Sequence, residues 1–494
     1  MTQADAIVVG SGPNGLAAAV TLTAAGLRVH VIEGAALAGG GCRTSELTLP
    51  GFHHDVCSAA HPLAAASGFF QRFGLAERGV DLIHPEVVFA HPLDGGGAAV
   101  VTRSVAQTGR RLGSDETAYS ALMGPLADGV DDLAAAVLSS MRRPPRPSSA
   151  LLAFARDGLR PATAVAARLH TEQARALVAG VAAHAMMPLT ARPTAGVGLL
   201  LAALAHGVGW PVVAGGSARL TDAMVDAVTA GGGTVETGRW VQSLDELPAA
   251  RIILLDVSPR SLVALAGDRL PARYRQALTR FRYGPGICKV DFAVSGPVPW
   301  TNRHCALAGT LHLGGSLEEV AAGEAEVAAG RHPGSPYVLV VQAGVVDPTR
   351  APAGQQTLWA YCHVPSGSTV DMGDRVQRQI ERFAPGFGDL VLARHSATAA
   401  QTALDNPNYV GGDIAAGAQS VRQILARPTA RWNPYRTPLP GVYLCSASTP
   451  PGPGVHGRCG ELAALTALRD RFAITEPVDV GAGLPRAAAP QGAT

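Results

Sequence analysis

The chain has 494 residues, 47% hydrophobic and 16% charged, and its 40 Lys and Arg residues nearly balance its 38 Asp and Glu residues. This length exceeds what a single hydrophobic core usually serves, so we expect two interleaved domains. A net charge of +2, without a basic run carrying interleaved aromatic residues, argues against a nucleic-acid partner.

The first 33 residues predict one βαβ unit. An apolar strand leads into Gly10-x-Gly12-x-x-Gly15, an alanine-rich helix follows, and a second strand ends on Glu33. In this context the glycine turn is typical of a dinucleotide-binding domain, with the pyrophosphate at the helix N-terminus and the acid on the adenosine ribose. The alternative, a tight strand-to-helix corner without a ligand, does not account for the terminal acid.

A second glycine-rich segment follows, Gly39-Gly40-Gly41-Cys42-Arg43-Thr44. NAD-binding domains do not require such a segment. In one large class of flavin-binding domains, the backbone of such a segment runs along the pyrophosphate, and an arginine side chain points at that pyrophosphate. The segment therefore favours FAD as the cofactor.

Three histidines and an acid lie close together at positions 53–61. Their spacing fits no regular set of metal ligands on a helix or strand, so we predict no metal site. A loop near the flavin, with His61 or Asp55 handling a proton, is the functional interpretation, and a polar loop without a chemical role is the alternative.

The seven cysteines are scattered and never spaced Cys-x-x-Cys, which favours reduced thiols in a cytoplasm. The first strand begins too close to Met1 for a signal peptide. The longest apolar run, 195–205, is too short to cross a bilayer and predicts a core or cavity-lining helix. The basic, proline-rich stretch 141–147 predicts a surface loop, and peripheral contact with a membrane is a further candidate role for it.

Residues 150–209 have helical spacing, and we expect His184 in their core. The nucleotide-binding sheet resumes near Trp210, and Val241 is predicted beside the adenine. Strand patterns then predict an antiparallel sheet with helices on one side, on which Lys289 faces solvent. Finally, a strand at 440–449 leads to Gly454, Val455 and His456, which open a helix whose positive end faces the flavin.

These patterns predict an α/β fold, a Rossmann-type FAD-binding domain with an inserted α+β substrate domain. The predicted FAD-binding segments are 1–90, 210–270 and 435–480. The predicted substrate-binding segments are 91–209 and 271–434. A flexible tail is expected at 481–494.

Together, the glycine turn with Glu33, the segment 39–44, the Gly215-Gly216-Ser217 helix start with Val241 beyond it, and the block 443–460 resemble the phytoene desaturase-like FAD-dependent oxidoreductases. The resemblance spans nearly the whole chain and is greatest to the bacterial branch similar to vertebrate pyridine nucleotide-disulfide oxidoreductase domain-containing proteins. It implies a flavin amine oxidase-like fold with FAD extended between two domains. The implied FAD contacts are Gly12, Pro13, Asn14, Glu33, Gly40, Gly41, Arg43, Val241, Ser446, Val455 and His456.

The expected activity is hydride removal from a mainly apolar small molecule, by desaturation or dehydrogenation, with oxygen or a quinone reoxidising the flavin. His61, Asp55 and His456 are the candidate catalytic residues, with His456 acting at the helix end that faces the reduced ring. Two alternatives remain open, a flavin amine oxidase and an FAD-stabilised partner-binding protein without turnover. The patterns leave the oligomeric state undetermined.

Overall fold

The computed structural model describes residues 4–140, 146–481 and 484. The predicted basic stretch and the predicted tail therefore lie outside it, apart from Arg146, Pro147, Gly481 and Leu484. The strands are β1 (Ala6–Val9), β2 (Val29–Ile32), β3 (Thr44–Ser45), β4 (His54–Asp55), β5 (Leu82–Ile83), β6 (Val87–Pro92), β7 (Ala98–Val101), β8 (Val212–Val213), β9 (Thr234–Glu236), β10 (Ile252–Leu255), β11 (Gly286–Val294), β12 (Ala308–Leu313), β13 (Val338–Val341), β14 (Gln356–Val364), β15 (Val391–Ala397) and β16 (Val442–Leu444). The α-helices are α1 (Pro13–Ala24), α2 (Pro62–Ala66), α3 (Gly68–Phe73), α4 (Val105–Arg111), α5 (Glu116–Asp128), α6 (Val130–Val137), α7 (Ser149–Gly158), α8 (Ala162–Ala166), α9 (Glu172–Ala182), α10 (Thr194–Gly207), α11 (Ala218–Ala230), α12 (Pro259–Ala266), α13 (Ala272–Thr279), α14 (Leu317–Ala328), α15 (Gly373–Phe383), α16 (Phe387–Leu390), α17 (Ala399–Asp405), α18 (Val421–Leu425) and α19 (Arg458–Phe472).

The opening strand is the centre of a five-stranded parallel sheet with the order β16-β10-β1-β2-β9. All four residues of β1 are buried, as a strand covered on both faces requires. Helices α1, α11 and α19 cover one face, and α12 and α13 cover the other. This is the Rossmann-type α/β architecture that the opening residues predict.

The second sheet has seven strands in the order β15-β11-β14-β13-β12-β6-β7, and all its pairs are antiparallel except β12 with β6. Its helices lie on both faces, α9 and α14 on one and α15 on the other. The prediction of helices on one side only was wrong. In β11 every residue is buried, because covering elements pack on both faces.

The predicted boundary between residues 90 and 91 cuts through β6, and the whole of that strand belongs to the seven-stranded sheet. Lys289 on β11 is also not at the surface. It is 4% exposed and forms an ion pair with the buried Asp291, on a face covered by His54, so the expected solvent-facing position is wrong.

Within the described part of the chain, no helix has both the length and the apolar composition needed to cross a membrane.

Candidate functional site

One cavity, about 1110 Å³ in volume, extends from the end of β1 to the inner face of the seven-stranded sheet. Its walls come from the strand ends of the parallel sheet, from α6, α7 and α10, and from residues of β12, β13 and β14. The volume exceeds that of a usual small-molecule pocket, so there is room for a dinucleotide and a second molecule.

The glycine turn forms one end of this cavity. Gly10, Gly12, Pro13 and Asn14 line it, and Gly12, the N-cap of α1, has no side chain of its own to cap the helix. A Cβ on Gly40 would lie 2.9 Å from Gly12 Cα, so the two glycine-rich segments touch through their backbones. A glycine N-cap beside a second glycine-rich segment leaves room for a pyrophosphate at the start of α1.

Gly15, the last glycine of the turn that is predicted to bind the cofactor, does not line the cavity. Its N–H donates to Asp256 Oδ2 at 2.9 Å, and a Cβ on it would lie 2.1 Å from Gly10 O. Gly15 therefore allows α1 to pack closely on the turn at Gly10. In the dinucleotide-binding motif the last glycine has this structural role.

Glu33 follows β2 and lines the cavity. One carboxylate oxygen accepts from Ser11 N at 2.8 Å and Ser11 Oγ at 2.6 Å, and the other accepts from Ala35 N at 2.8 Å. The acid thus also orders the loop around it. Arg43 lines the same end, with its Nε donating to Gly40 O at 2.9 Å.

The remaining predicted FAD contacts divide into two groups. Gly41, Val241, Ser446, Gly454 and Val455 line the cavity together with Gly40, whereas His456 does not. Sequence reasoning missed Trp240, whose ring lies against Gly34 so closely that a Cβ there would be 2.5 Å from it. The neighbouring Arg239 also lines this end.

His61 stands on the cavity wall with 1% of its surface exposed. Its Nε2 is 2.9 Å from Ser217 Oγ, and that hydroxyl donates to Ser58 O. Ser217 therefore accepts from His61, which places the imidazole proton on Nε2 and leaves Nδ1 as a lone pair without a partner. Burial lowers the pKa of His61 to about 4, so the ring is neutral near pH 7.

The structure does not support Asp55 as a proton acceptor. It lies outside the cavity lining, and its carboxylate is occupied by Arg350, by Thr44 Oγ1 at 2.9 Å and by Ser217 N at 2.8 Å. Both partners Arg350 and Asp55 are 2% exposed, so this ion pair fastens the loop at 53–61 to the rest of the fold.

His456 is likewise a structural residue. Its Nε2 donates to Gly452 O at 3.0 Å, and its Nδ1 accepts from Arg458 N at 3.0 Å. Burial lowers its pKa to about 4, so neither nitrogen is available to a ligand or a proton. The ring instead shapes the turn that presents Gly454 and Val455 before α19.

The other end of the cavity is mainly apolar. The sheet contributes Thr310, Leu339, Val341, Trp359 and Tyr361, and the helices contribute alanine, valine, leucine and phenylalanine side chains. His184 also lines this end, which corrects the expectation that it belongs to the core. On α6 to α10 and on the seven-stranded sheet, the described residues place no carboxylate in the cavity wall.

The acids that do line the cavity are Glu33, Asp256 and Asp405. The first two follow strands of the parallel sheet. Asp405 precedes a turn in which Asn408 accepts from Ser258 N at 2.7 Å and donates to Asp256 O at 3.1 Å. The acidic groups are therefore gathered around the end of the cavity that the glycine turn forms.

Asp256 predicts a pH dependence of stability. Burial is the main cause that raises its pKa from 3.8 to about 7; Gly15 N–H opposes the shift and Glu33 adds to it. The folded state then holds a proton that the unfolded state releases, so stability falls as pH rises from about 4 to about 7 and stays constant above that. Asp256→Asn keeps an acceptor for Gly15 without the charge. We expect its free energy of unfolding, relative to wild type, to rise by about 3 kcal/mol from pH 5 to pH 8.

Thermal unfolding of both proteins across this pH range measures the effect. Parallel stability profiles would show that the folded state does not hold the extra proton. Asp222→Asn, at an exposed acid on α11 outside the cavity lining, is the control and is expected to change the profile less.

Residues 8–73 match the family model of the NAD(P)-binding Rossmann-like domain. The chain is 26% identical to pyridine nucleotide-disulfide oxidoreductase domain-containing protein 2 of Rattus norvegicus, over 94% of this chain and 93% of that protein. This likeness is one of homology along almost the full length of both proteins.

Solved structures share the whole fold. An oxidoreductase from Methanosarcina mazei aligns with a TM-score of 0.61 at 16% identity, over 94% of this chain and 99% of that chain. A putrescine oxidase double mutant gives 0.62 at 18% identity, over 96% and 99%. Cyclohexylamine oxidase from Brevibacterium oxydans gives 0.56 at 17% identity, over 94% and 98%. The chain therefore has a flavin amine oxidase-like fold with a Rossmann dinucleotide-binding domain.

Proposed function

We propose that this protein is an FAD-dependent oxidoreductase that removes a hydride from a mainly apolar small molecule. The observation that carries the proposal is that the 1110 Å³ cavity is continuous from the glycine turn, which is typical of dinucleotide-binding domains, to its apolar end. The homology to an oxidoreductase domain-containing protein and the fold shared with oxidases support the reaction class.

The glycine turn, Gly40 and Arg43 would hold the pyrophosphate of FAD, and Glu33 would hold the ribose. Trp240 and Val241 also line the cavity and would contact the adenine of FAD. Ser446, Gly454 and Val455 line it as well and would contact the isoalloxazine ring. When bound, FAD supplies the hydride acceptor, its N5 atom.

The protein's own part is to exclude water, orient the substrate and take up a proton. Among the predicted candidates, His61 fits the last task, because the residue lines the cavity and its buried Nδ1 has no hydrogen-bond partner while Ser217 holds Nε2. A general base in such a position contributes on the order of a hundredfold to a rate. Reoxidation by oxygen or a quinone and a cytoplasmic location complete the proposal, and the seven unpaired thiols agree with a reducing compartment.

Amine oxidation is the second candidate. The rings of Trp359, Tyr361 and Tyr409 line the cavity, and two proteins of the same fold are named as oxidases of putrescine and cyclohexylamine. Against it, the apolar chamber offers no carboxylate to a cationic amine within the described residues.

The test begins with the colour of the purified protein and the identity of any flavin that heat releases. Anaerobic bleaching is then followed with decan-2-one, decan-2-ol, putrescine and cyclohexylamine. Bleaching by the ketone or alcohol supports the proposal, and bleaching by the amines alone favours the second candidate. A protein that binds FAD but is not reduced, and whose chemically reduced flavin does not react with oxygen or a quinone, points to a binding role without turnover.

Glu33→Ala is expected to weaken FAD binding by about tenfold to a hundredfold, because hydrogen bonds to a charged group contribute about 1.5 to 3 kcal/mol. Equilibrium titration of apoprotein with FAD measures this. Glu46→Ala is the matched control, since Glu46 also orders a loop, by accepting from Gly51 N at 2.8 Å, but lies outside the cavity lining. Equal FAD affinity in the two variants would contradict the ribose assignment.

A further inference from the structure

We propose that His184 presents an N–H donor to the apolar end of the cavity, and that the molecule bound there carries a neutral, hydrogen-bond-accepting oxygen, as a ketone or alcohol does. The inference depends on the proposed function in one respect, which is that the apolar end of the cavity is the substrate site. It adds a specificity-determining residue and a substrate class.

His184 lies in the short 3₁₀ turn Ala183–Ala185 that follows α9, and its ring is half-buried on the cavity wall. One of its nitrogens, Nε2, is 3.0 Å from His312 Nε2. The ring meets Trp210 edge to face, with centroids 5.5 Å apart. With Nε2 occupied, only Nδ1 remains for a ligand.

The protonation state of this pair follows from its surroundings. Burial lowers the pKa of His184 to about 3 and that of His312 well below its usual value, so both rings are neutral. A hydrogen bond between two neutral imidazoles requires that one ring donates and the other accepts. The direction of this bond decides what His184 offers to the cavity.

His312 settles the direction, because it is 0% exposed and its Nδ1 has no hydrogen-bond partner. If His184 donated, His312 would carry its proton on Nδ1, as a buried N–H without an acceptor. Orphaned buried N–H groups are rarer than unused acceptors. His312 Nε2–H is therefore the donor, His184 Nε2 accepts, and the proton of His184 is on Nδ1.

The neighbouring residues hold His312 in this position. Its ring stacks on Tyr337 with centroids 6.2 Å apart and packs at 5.0 Å against Phe89. Gly180 leaves the space it needs, since a Cβ there would lie 2.8 Å from His312 Cβ. The unpartnered Nδ1 of nearby His91 is also an acceptor, because its Nε2 donates to Gly315 O. His312 is thus a positioning residue for His184.

The walls near this donor select a neutral oxygen. Met186, Leu200, Leu201 and Leu339 line the same end of the cavity and offer only apolar surface. Met186 adopts a φ of +52°, which is uncommon for a residue other than glycine and occurs here next to a ligand-facing turn. An ammonium group has no lone pair to accept the N–H, and an unpaired donor in such a wall carries an energetic penalty.

The tautomers are measured directly. Two-dimensional ¹⁵N spectra of the full-length protein labelled at histidine, assigned with His184→Gln and His312→Phe, are expected to show His184 protonated on Nδ1 and His312 on Nε2. The reverse pattern, or a charged ring, overturns the inference. This measurement does not depend on flavin reduction, so it separates failure of the inference from failure of the proposed function.

Ligand selection is measured with two probes of the same shape, decan-2-one and 2-methyldec-1-ene, by calorimetric titration. Wild type is expected to bind the ketone roughly threefold to tenfold more tightly, the range of one net hydrogen bond. His184→Phe should remove that preference while retaining affinity for the alkene, and His184→Gln, which keeps a donor, should restore part of it. Equal affinity for both probes in wild type, or binding of neither, overturns the inference.

Discussion

Gly460→Ala is expected to destabilise the fold and to abolish FAD retention. Gly460 lies in α19 against the first turn of α1, and a Cβ there would lie 1.8 Å from Asn14 O and 2.9 Å from Ala18 N. Both neighbours are backbone atoms, so no flexible side chain can give way. Overpacking of this kind destabilises by about 3 kcal/mol, and the displaced start of α1 carries Pro13 and Asn14 out of the cavity wall.

The measurements are the midpoint of thermal unfolding and the flavin content of the purified variant. Gly124→Ala is the matched control, because Gly124 is also inside a helix, α5, but a Cβ there would meet nothing within 4 Å. That substitution is expected to be neutral or to stabilise the helix by about 0.5 to 1 kcal/mol. If Gly460→Ala and Gly124→Ala have the same unfolding midpoint and the same flavin content, α19 does not pack against α1 as closely as described.

The local patterns of the chain predict the structure of the glycine-lined end of the cavity well. The glycine turn, Glu33 and the segment 39–44 lie within 44 consecutive residues, and their geometry follows from strand, turn and helix rules. Val241, Ser446 and Val455 also reach the cavity, although the sequence places them there only through the family resemblance.

The errors arise where distant segments meet. Asp256 accepts a hydrogen bond from Gly15 N across 241 positions, and His184 contacts His312 across 128 positions. Lys289 looks exposed in an alternating strand, but its partner Asp291 is covered by the loop at 53–61. The periodicity of a sequence indicates on which face of a strand or helix a residue lies. It does not indicate which distant segment covers that face.

The candidate bases show the same limit. From their sequence neighbourhood, Asp55 and His61 are equally plausible as the catalytic base. In the structure, the Asp55 carboxylate accepts a hydrogen bond from Arg350, 295 positions away, whereas Nδ1 of His61 has no hydrogen-bond partner. His456 is excluded by two short-range contacts, with Gly452 O and Arg458 N. The three candidate bases therefore differ in whether they keep a lone pair without a hydrogen-bond partner. This difference depends on contacts that form only in the folded chain.

His61→Gln is expected to slow flavin reduction by about a hundredfold, by whichever probe bleaches the wild-type protein anaerobically. The glutamine amide can still donate to Ser217 Oγ, so the loop keeps its shape, but no basic nitrogen remains at the position of Nδ1. Flavin content and the midpoint of thermal unfolding should stay close to those of wild type. Stopped-flow spectroscopy at saturating probe concentration measures the rate of reduction apart from binding.

The pH profile of that rate separates a base from a structural residue. A base must be unprotonated, so the wild-type rate is expected to be constant above about pH 5 and to fall below it toward the lowered pKa of His61, about 4. His61→Gln should lack this fall. The matched control is His206→Gln, because His206 is also buried with a pKa lowered to about 4 and bonded through Nε2 to a hydroxyl, that of Tyr119 at 2.7 Å, yet lies outside the cavity lining. If both substitutions slow reduction equally, or if His61→Gln keeps the acid limb, His61 does not take the proton.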